Sequence, residues 1–235
     1  MGIFSEAMDR SLRGKYSEPL QDPFAGIADI QQHLLGSFFD VVGSEEKSPR
    51  LVGIISSQPG EGVSTVSRML AYALCYHGER PTFIIDANFR SPSLHLMENL
   101  NQSPGICDIL MSTNLDLENF IHGRGDLPIR FITTGQLSPN PYLVYTHPQM
   151  EVFLEKLRAI SDYAIFDLPP VHACPEVLLL AKKLDGIIFV IKAHHTPTKS
   201  VAAALDRLKR GNVRILGGIL NGKKYFIPKW LYDRI

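Results

Sequence analysis

The stretch LVGIISSQPGEGVSTVS, residues Leu51–Ser67, decides the fold. Residues Leu51–Ile55 are apolar and rich in β-branched side chains, which is typical of a buried strand. A loop of Ser, Gln, Pro, Gly, Glu and Gly follows, and a helical pattern begins at Val63. A strand, a glycine-rich loop and a helix in this order provide the setting of a phosphate-binding P-loop. The sequence therefore predicts an anion cradle at residues Gly60–Thr65.

One residue of this loop departs from the P-loop pattern G-x-x-x-x-G-K-[ST], which would run from Ser57 to Ser64. Gly62 and Ser64 fit the pattern, but Val63 stands where the pattern has Lys. A Lys ammonium would bridge the β- and γ-phosphates through charge-assisted contacts worth ~1.5–3 kcal/mol. We expect its loss to weaken nucleotide binding roughly ten- to a hundredfold. Phosphoryl transfer should suffer more, because charge moves in its transition state.

The other residues of the loop suit an anion. Gly60 and Gly62 let backbone N–H groups turn toward one point without clashes from a Cβ atom. The helix that starts near Val63 directs its unpaired N–H groups and the positive end of its dipole at the same point. The Ser64 hydroxyl is placed to bind Mg²⁺, and the Thr65 hydroxyl is within reach of a phosphate oxygen.

Composition narrows the class of protein. The chain has 235 residues, 45% of them hydrophobic and 20% charged, which suits one α/β domain with some additional chain. Its 24 basic and 24 acidic side chains give zero net charge, which argues against bulk electrostatic binding to nucleic acid. Three cysteines that lie far apart favour a reducing compartment. No apolar run approaches the roughly 20 residues that span a bilayer, so we expect a cytoplasmic protein.

Strands alternate with helices along the chain, which predicts an α/β fold with a mostly parallel central sheet and helices on both faces. The predicted strands are Leu51–Ile55, Thr82–Asp86, Ile129–Thr133, Tyr163–Asp167, Gly186–Ile191 and Val213–Leu220. The predicted helices are Ile27–Val42, Val63 to near Gly78, Gly105–Met111, Leu115–Ile121, Gln149–Ile160, Pro175–Lys183 and Thr198–Arg210. Gly135–Pro148 is predicted to be a loop. Helical spacing places Ile30 and Val152 on inward faces.

The chain divides into three parts. Residues 1–45 form a polar tail and an amphipathic helix, and residues 46–222 form a P-loop NTPase-like domain. Residues 223–235 mix basic and aromatic side chains, and they form a tail that either docks to a partner or covers the core.

Two predicted strands end in a carboxylate, at Asp86 and at Asp167. Because the carboxyl ends of parallel strands meet at one edge of a sheet, both carboxylates should lie beside the glycine-rich loop. Carboxylate and hydroxyl oxygens are ligands that Mg²⁺ prefers. An apolar strand that ends in Asp is common by itself, and the pair is informative because of its place beside the loop. The sequence therefore predicts a site for a nucleotide and Mg²⁺, with Ser64, Asp86 and Asp167 as metal ligands.

Seven stretches carry a resemblance to a known family, and they span about Leu51–Asn221. In chain order they are SSQPGEGVST, FIIDANFRSPSLH, PGICDIL, TTGQLSPNP, YAIFDLPPV, DGIIFVIKA and ILGGILN. They resemble the cytoplasmic domain of bacterial tyrosine kinases of the capsule and exopolysaccharide type, which are MinD-related P-loop proteins.

The resemblance implies a MinD-like P-loop NTPase fold that binds ATP and Mg²⁺. Asp86 and Asp167 would have metal or catalytic roles, and Tyr225 and Tyr232 are candidate phosphorylation sites. The implied partner is a transmembrane regulator of polysaccharide chain length, which would recruit the protein to the inner face of the membrane. A kinase paralogue and a second copy of the chain are further candidate partners. The nucleotide contacts it implies are Gly60, Glu61, Gly62, Val63, Ser64, Thr65 and, for adenine, Asn221.

Several positions depart from the kinase pattern. Val63 replaces the phosphate-binding Lys, and Asn88 replaces the second Asp of the D-x-D motif that ends the Walker A′ strand. Gln58 stands where the MinD branch has its signature Lys. The family's C-terminal tyrosine cluster is reduced to Tyr225 and Tyr232. Together these departures indicate a kinase fold with a degenerate catalytic site.

Three functions stay open at this point. The favoured one is a kinase-family protein with reduced or absent catalysis, which regulates or scaffolds polysaccharide assembly beside the membrane regulator. The second is an active ATP-dependent tyrosine kinase, in which Arg90 or a Lys from a second subunit replaces the missing Lys. The third is a MinD- or ParA-like positioning ATPase, and Gln58, Val63 and the neutral net charge count against it.

Overall fold

The computed structural model describes residues 24, 28–42, 50–76, 81–112, 116–123, 129–138 and 140–222. The tail residues 223–235, with the candidate phosphorylation sites Tyr225 and Tyr232, lie outside the described residues, as does most of the N-terminal tail. The strands are β1 Leu51–Ser56, β2 Thr82–Asp86, β3 His122–Gly123, β4 Ile129–Ile132, β5 Tyr163–Asp167, β6 Gly186–Lys192 and β7 Ile215–Asn221.

The helices alternate with these strands. They are α1 Ala28–Val42, α2 Val63–Tyr76, α3 Leu94–Met97, α4 Ile106–Met111, α5 Pro141–Tyr145, α6 Gln149–Ile160, α7 Leu178–Ala181 and α8 Thr198–Arg210, with 3₁₀ turns at Leu117–Phe120 and Pro175–Val177. Within the described residues, no helix is long and apolar enough to cross a membrane.

The strands form one sheet in the order β3-β4-β2-β5-β1-β6-β7. All neighbouring pairs are parallel except β3 and β4. The core lies in two apolar layers, because successive side chains of a strand point to opposite faces. Leu51 and Ile55 of β1 pack in the layer that contains α4, α6 and α8, whereas Val52 and Ile54 pack in the layer that contains α1 and α2. The predicted α/β fold, with helices on both faces of a mostly parallel sheet, is therefore confirmed.

Two helices each expose one residue that the spacing placed on an inward face. Val152 of α6 is 38% exposed, whereas Phe153 and Leu157 are fully buried. The buried stripe of this helix excludes position 152, so the prediction for Val152 is wrong. Ile30 of α1 is 54% exposed, and its neighbour Gln31 is buried instead.

The stretch Gly135–Pro148 is not a loop throughout, because it contains the short helix α5. The Asn140 side chain caps this helix by accepting a hydrogen bond from the Tyr142 N–H at 3.1 Å. Pro141 occupies the first helical turn, where a missing N–H costs nothing. The prolines that indicated a loop in the sequence therefore include one that begins a helix.

Two further predictions need correction, and one strand is missing from the predicted set. The expected helix at Leu115–Ile121 is a 3₁₀ turn over Leu117–Phe120, and the expected helix at Pro175–Lys183 divides into a 3₁₀ turn and the short α7. The strand β3 has no counterpart among the predicted strands. It comprises two residues, which is too short for a periodic pattern to reveal.

Candidate functional site

The parallel topology brings three strand ends to one edge of the sheet. The glycine-rich loop follows β1, and Asp86 and Asp167 are the last residues of β2 and β5. Asp86 and Asp167 are aligned partners in the ladder between these two strands. Since β5 also pairs with β1, both carboxylates lie beside the loop, as the sequence predicted.

Two glycines shape the loop. Gly60 and Gly62 have φ values of +81° and +93°, a region that residues with a Cβ atom rarely adopt. At Gly62 a Cβ atom would lie 2.2 Å from Nδ2 of Asn221, whereas at Gly60 it would meet nothing within 4 Å. Position 62 thus requires glycine both because of its positive φ and because Asn221 lies close to it. Position 60 requires glycine because of its positive φ alone.

The Glu61 carboxylate turns back into the loop. It accepts hydrogen bonds from the N–H groups of Ser57 at 2.7 Å and Gln58 at 2.9 Å, and also from the hydroxyls of Ser57 and Thr196. Burial would raise the pKa of this side chain, but the bonds from Thr196, Gln58 and Ser57 outweigh it and lower the pKa below its ordinary value. Glu61 is therefore an ionised side chain that holds the loop from inside.

The ends of β6 and β7 hold the loop from outside. Nδ2 of Asn221 donates to the Glu61 carbonyl at 2.9 Å, and Nζ of Lys192 donates to the Gly60 carbonyl at 3.2 Å. Nε2 of Gln58 donates to the Ser200 hydroxyl at 2.7 Å at the start of α8. The conformation of the loop is thus fixed by contacts within the chain.

The first turn of α2 points its free amides into the same region. Its first i→i−4 bond runs from the Val66 N–H to the Gly62 carbonyl at 3.0 Å, so the N–H groups of Val63, Ser64 and Thr65 have no acceptor within the helix. Such N–H groups and the helix dipole favour an anion. The Val63 side chain is only 8% exposed and adds an apolar surface where a Lys would add a charge.

Asp86 is buried and well supplied with donors. One of its oxygens accepts from the Asn88 N–H at 3.1 Å, and the other accepts from the Ser93 and Leu94 N–H groups at 3.0 Å each. Burial raises the pKa of Asp86 in spite of these three bonds. They stabilise a carboxylate, and we therefore assign the first negative charge of the aspartate pair to Asp86.

Asp167 is in the opposite situation. It is 1% exposed, and neither of its side-chain oxygens has a hydrogen-bond partner among the described residues. Burial, and then the charge of Asp86, raise the pKa of Asp167 to about 8, against a small opposing effect of the Ser64 hydroxyl. Two buried oxygens without a donor require either a proton or a cation.

The residues around Asp167 fit a magnesium ion. The Ser64 hydroxyl accepts a hydrogen bond from the Ser93 hydroxyl at 3.1 Å and keeps its other lone pair for a metal. The described residues contain no cluster of three or more His, Cys, Asp or Glu side chains that suits a metal. A Mg²⁺ ion at this edge would therefore need oxygens of water and of a bound phosphate in addition to those of the protein, as is usual for Mg²⁺ at nucleotide sites.

A cavity of about 300 Å³ joins these elements. The walls contain Asp167 but no Lys or Arg, within the part of the chain that the structure describes. The loop therefore offers amides and carboxylates, and any cation at the site must come from beyond these walls. The lining residues are Ser56, Gln58, Gly60–Thr65, Asn88, Ser93, Met97, Asp167, Leu168 and Pro170.

Of the predicted site residues within the described part, Gly60–Thr65 and Asp167 line the cavity. Asp86 does not line it but is aligned with Asp167 in the strand ladder, and Asn221 is joined to the loop by its bond to Glu61. Arg90, a candidate for the missing charge, does not line the cavity and instead pairs with Glu176. Three residues at the site, Ser93, Thr196 and Lys192, belong to no site motif of the sequence. The sequence could have indicated them only by their position, because Lys192 ends β6, Thr196 follows β6 and Ser93 follows β2, and both strands end at this edge of the sheet.

The fold and the site define a class of protein, the MinD-type P-loop NTPase fold. Over 78% of this chain and 76% of the other, the structure resembles the septum site-determining protein MinD from Pyrococcus horikoshii, solved with Mg-ADP, with a TM-score of 0.59 and 21% identity. It resembles the VpsO kinase domain more closely, with a TM-score of 0.75 and 26% identity over 84% of this chain and 96% of the other.

The homologues of the chain are bacterial tyrosine-protein kinases, so the predicted resemblance is confirmed. The chain is 29% identical to the tyrosine-protein kinase YwqD of Bacillus subtilis over 181 residues, which cover 77% of this chain and 76% of YwqD. It is 28% identical to the tyrosine-protein kinase ptk of Acinetobacter johnsonii over 73% of this chain but only 23% of that longer protein. No protein-family model matches the chain.

Proposed function

We propose that this chain is a magnesium- and nucleotide-binding protein of the bacterial tyrosine-kinase type in which phosphoryl transfer is impaired. The observation that carries the proposal is the contrast within one site. The carboxylate pair and the amide cradle are in place, whereas Val63 fills the position of the phosphate-binding Lys.

The geometry supports the following binding roles. The amides of Val63, Ser64 and Thr65 would hold the phosphates, and Ser64 and Asp167 would hold Mg²⁺ directly or through water. Asp86, fixed by three amides, adds negative charge to the metal site. Bound Mg²⁺ would neutralise phosphate charge and replace the proton that Asp167 otherwise keeps.

We expect weak catalysis because of the side chains that line the proposed phosphate site. Neither Lys nor Arg lines the described cavity, so developing charge on a transferred phosphoryl group lacks its usual partner. Asn88 does not restore a second carboxylate. Its side-chain oxygen accepts a hydrogen bond from the Ser91 N–H at 3.2 Å, and it thereby closes the turn after β2. We therefore propose that the nucleotide acts mainly as a bound ligand and is a poor phosphate donor at this site.

The biological role that we propose rests on the family. The chain would act in exopolysaccharide or capsule assembly, at the inner face of the membrane, as a regulatory or scaffolding partner of a transmembrane regulator of polysaccharide chain length. Binding of Mg–nucleotide would report the nucleotide state to that partner. A kinase-competent paralogue or a second copy of this chain would be a further partner.

A phosphotransfer assay tests the proposal. The purified chain and the variant Val63→Lys are incubated with Mg–ATP, and phosphotyrosine is located by mass spectrometry. We expect no phosphate on any tyrosine of the wild type, Tyr225 and Tyr232 included, and a gain of phosphate in the variant. Rapid phosphorylation of the wild type would refute the impaired site and establish an active kinase.

A further inference from the structure

The side chain of Lys192 lies at the rim of the candidate nucleotide cradle. Its ammonium donates to the carbonyl of Gly60 at 3.2 Å, and Gly60 itself lines the cavity. An ammonium has three donors, and the bond to Gly60 uses one of them. The side chain is partly exposed, so its remaining donors are directed toward solvent or toward a ligand at the rim.

The position of Lys192 is fixed by the sheet. It is the last residue of β6 and is aligned with Asn221 of β7 in the parallel ladder. The following residue, Ala193, donates from its N–H to the Asn221 carbonyl at 2.8 Å. Because Asn221 in turn bonds to the loop at Glu61, the backbone that carries Lys192 is tied to the cradle. The paired strands β6 and β7 therefore fix the backbone position from which the Lys192 side chain reaches the loop.

Two other cations of the described residues, both arginines, are engaged in ion pairs. Arg90 pairs with Glu176, and Nε of Arg68 pairs with Glu98 at 2.5 Å. Lys192 has no ion pair with a carboxylate among the described residues. Its charge is thus available at the rim of a cavity whose walls include Glu61 and Asp167.

We propose that Lys192 supplies to the bound phosphates of a nucleotide the positive charge that Val63 does not. The inference deepens the proposed function and rests on it. In the conventional P-loop the cation comes from the first turn of the helix, and here it would come from the end of a neighbouring strand. Such a cation supports binding, but it approaches the phosphates from the rim and does not restore the charge within the loop.

A double-mutant cycle on Mg–ATP binding tests the proposal. Calorimetric titrations compare the wild type, Lys192→Met, Val63→Lys and the double variant. We expect Lys192→Met to weaken binding about tenfold or more in the wild type, as for loss of a charge-assisted contact. In the Val63→Lys background the same change should weaken binding less than about threefold, because Lys at position 63 makes Lys192 dispensable.

The control variant is Lys199→Met, which removes the same charge from an exposed position in the first turn of α8. It should leave affinity unchanged, and thermal unfolding should show that every variant is folded. An equal loss from Lys192→Met in both backgrounds would overturn the proposal, because it would show that Lys192 only holds the loop. Binding by Val63→Lys without binding by the wild type would also overturn it. Failure of both to bind would refute the proposed function itself.

Discussion

Asp167 and Asp185 lie at opposite edges of the same sheet and differ in the hydrogen bonds that their carboxyl groups accept. Asp185 directly precedes β6, and its carboxylate accepts two hydrogen bonds of 2.7 Å from the guanidinium of Arg158. It also accepts from the N–H groups of Arg50 and Leu51 at 2.8 Å each. Asp167, at the end of β5, accepts none from the described residues.

The difference separates an aspartate that stabilises the fold from one that we propose binds a ligand. Burial would raise the pKa of Asp185, but Arg158 and the two amides reverse that effect and lower the pKa. Burial and Asp86 raise the pKa of Asp167 to about 8. A protein that satisfies one aspartate fully and leaves the other without a donor has a destabilising feature at the second edge, and a cation would remove it.

A large effect expected from this comparison is on stability at the satisfied edge. Asp185→Ala should lower the free energy of unfolding by about 2–4 kcal/mol, because it leaves a guanidinium and two amides without their acceptor. Chemical denaturation at pH 7 measures the loss. Asp206→Ala is the matched control, since its ion pair with Arg210 is exposed, and it should cost less than about 0.5 kcal/mol. Equal losses in the two variants would contradict the assigned role of Asp185.

At the unsatisfied edge the effect should depend on pH. Between the ordinary pKa of 3.8 and the folded value of about 8, the unfolded chain has released the proton that Asp167 still holds when folded. Raising the pH in this window therefore favours unfolding, by up to ~1.4 kcal/mol per pH unit. Asp167→Asn should flatten this dependence in a series of denaturation curves from pH 5 to pH 8 without nucleotide. An unchanged slope in the variant would show that Asp167 is ionised throughout.

Asp185 should act with the opposite sign. Its lowered pKa gives stability that is present above 3.8 and is lost as the pH falls through the folded value. Asp185→Asn should therefore remove part of the acid limb of the stability profile and leave the alkaline limb unchanged. The same denaturation series, extended below pH 4, measures both limbs.

The smallest expected effect separates the two loop glycines. Gly60→Ala introduces strain at positive φ of roughly 1 kcal/mol, with no clash. Gly62→Ala adds a clash with the Asn221 amide and should cost about 1 kcal/mol more. Thermal unfolding of the two variants measures the difference. Equal losses would mean that Asn221 moves aside freely and does not hold the loop.

Much of the fold could be predicted because the strands are fully buried. Thr82–Asp86 and Tyr163–Asp167 coincide with β2 and β5, since short apolar runs that end at a polar residue leave little choice of boundary. The meeting of Asp86 and Asp167 followed from parallel topology alone. The helix α5 could not be predicted in the same way, because its start depends on a capping bond from Asn140 within a proline-rich stretch.

The side chains that hold the loop could not be predicted from the sequence. Glu61 turns inward because Thr196 and two loop amides meet it there, and Thr196 is remote from it in the chain. Lys192 reaches the loop through the register of β6 and β7, which no local pattern specifies. Local spacing thus predicts the groups that would face a nucleotide, whereas the tertiary structure shows the side chains that hold the loop.

The most direct test of the account is titration of Mg–ATP into the wild type and Val63→Lys, each with magnesium and with a chelator in its place. The account predicts that the wild type binds only with magnesium, and that the variant binds about tenfold tighter. Absence of binding by both proteins in magnesium, or equal binding by the wild type with and without the metal, would contradict the assignment of this edge as a magnesium–nucleotide site.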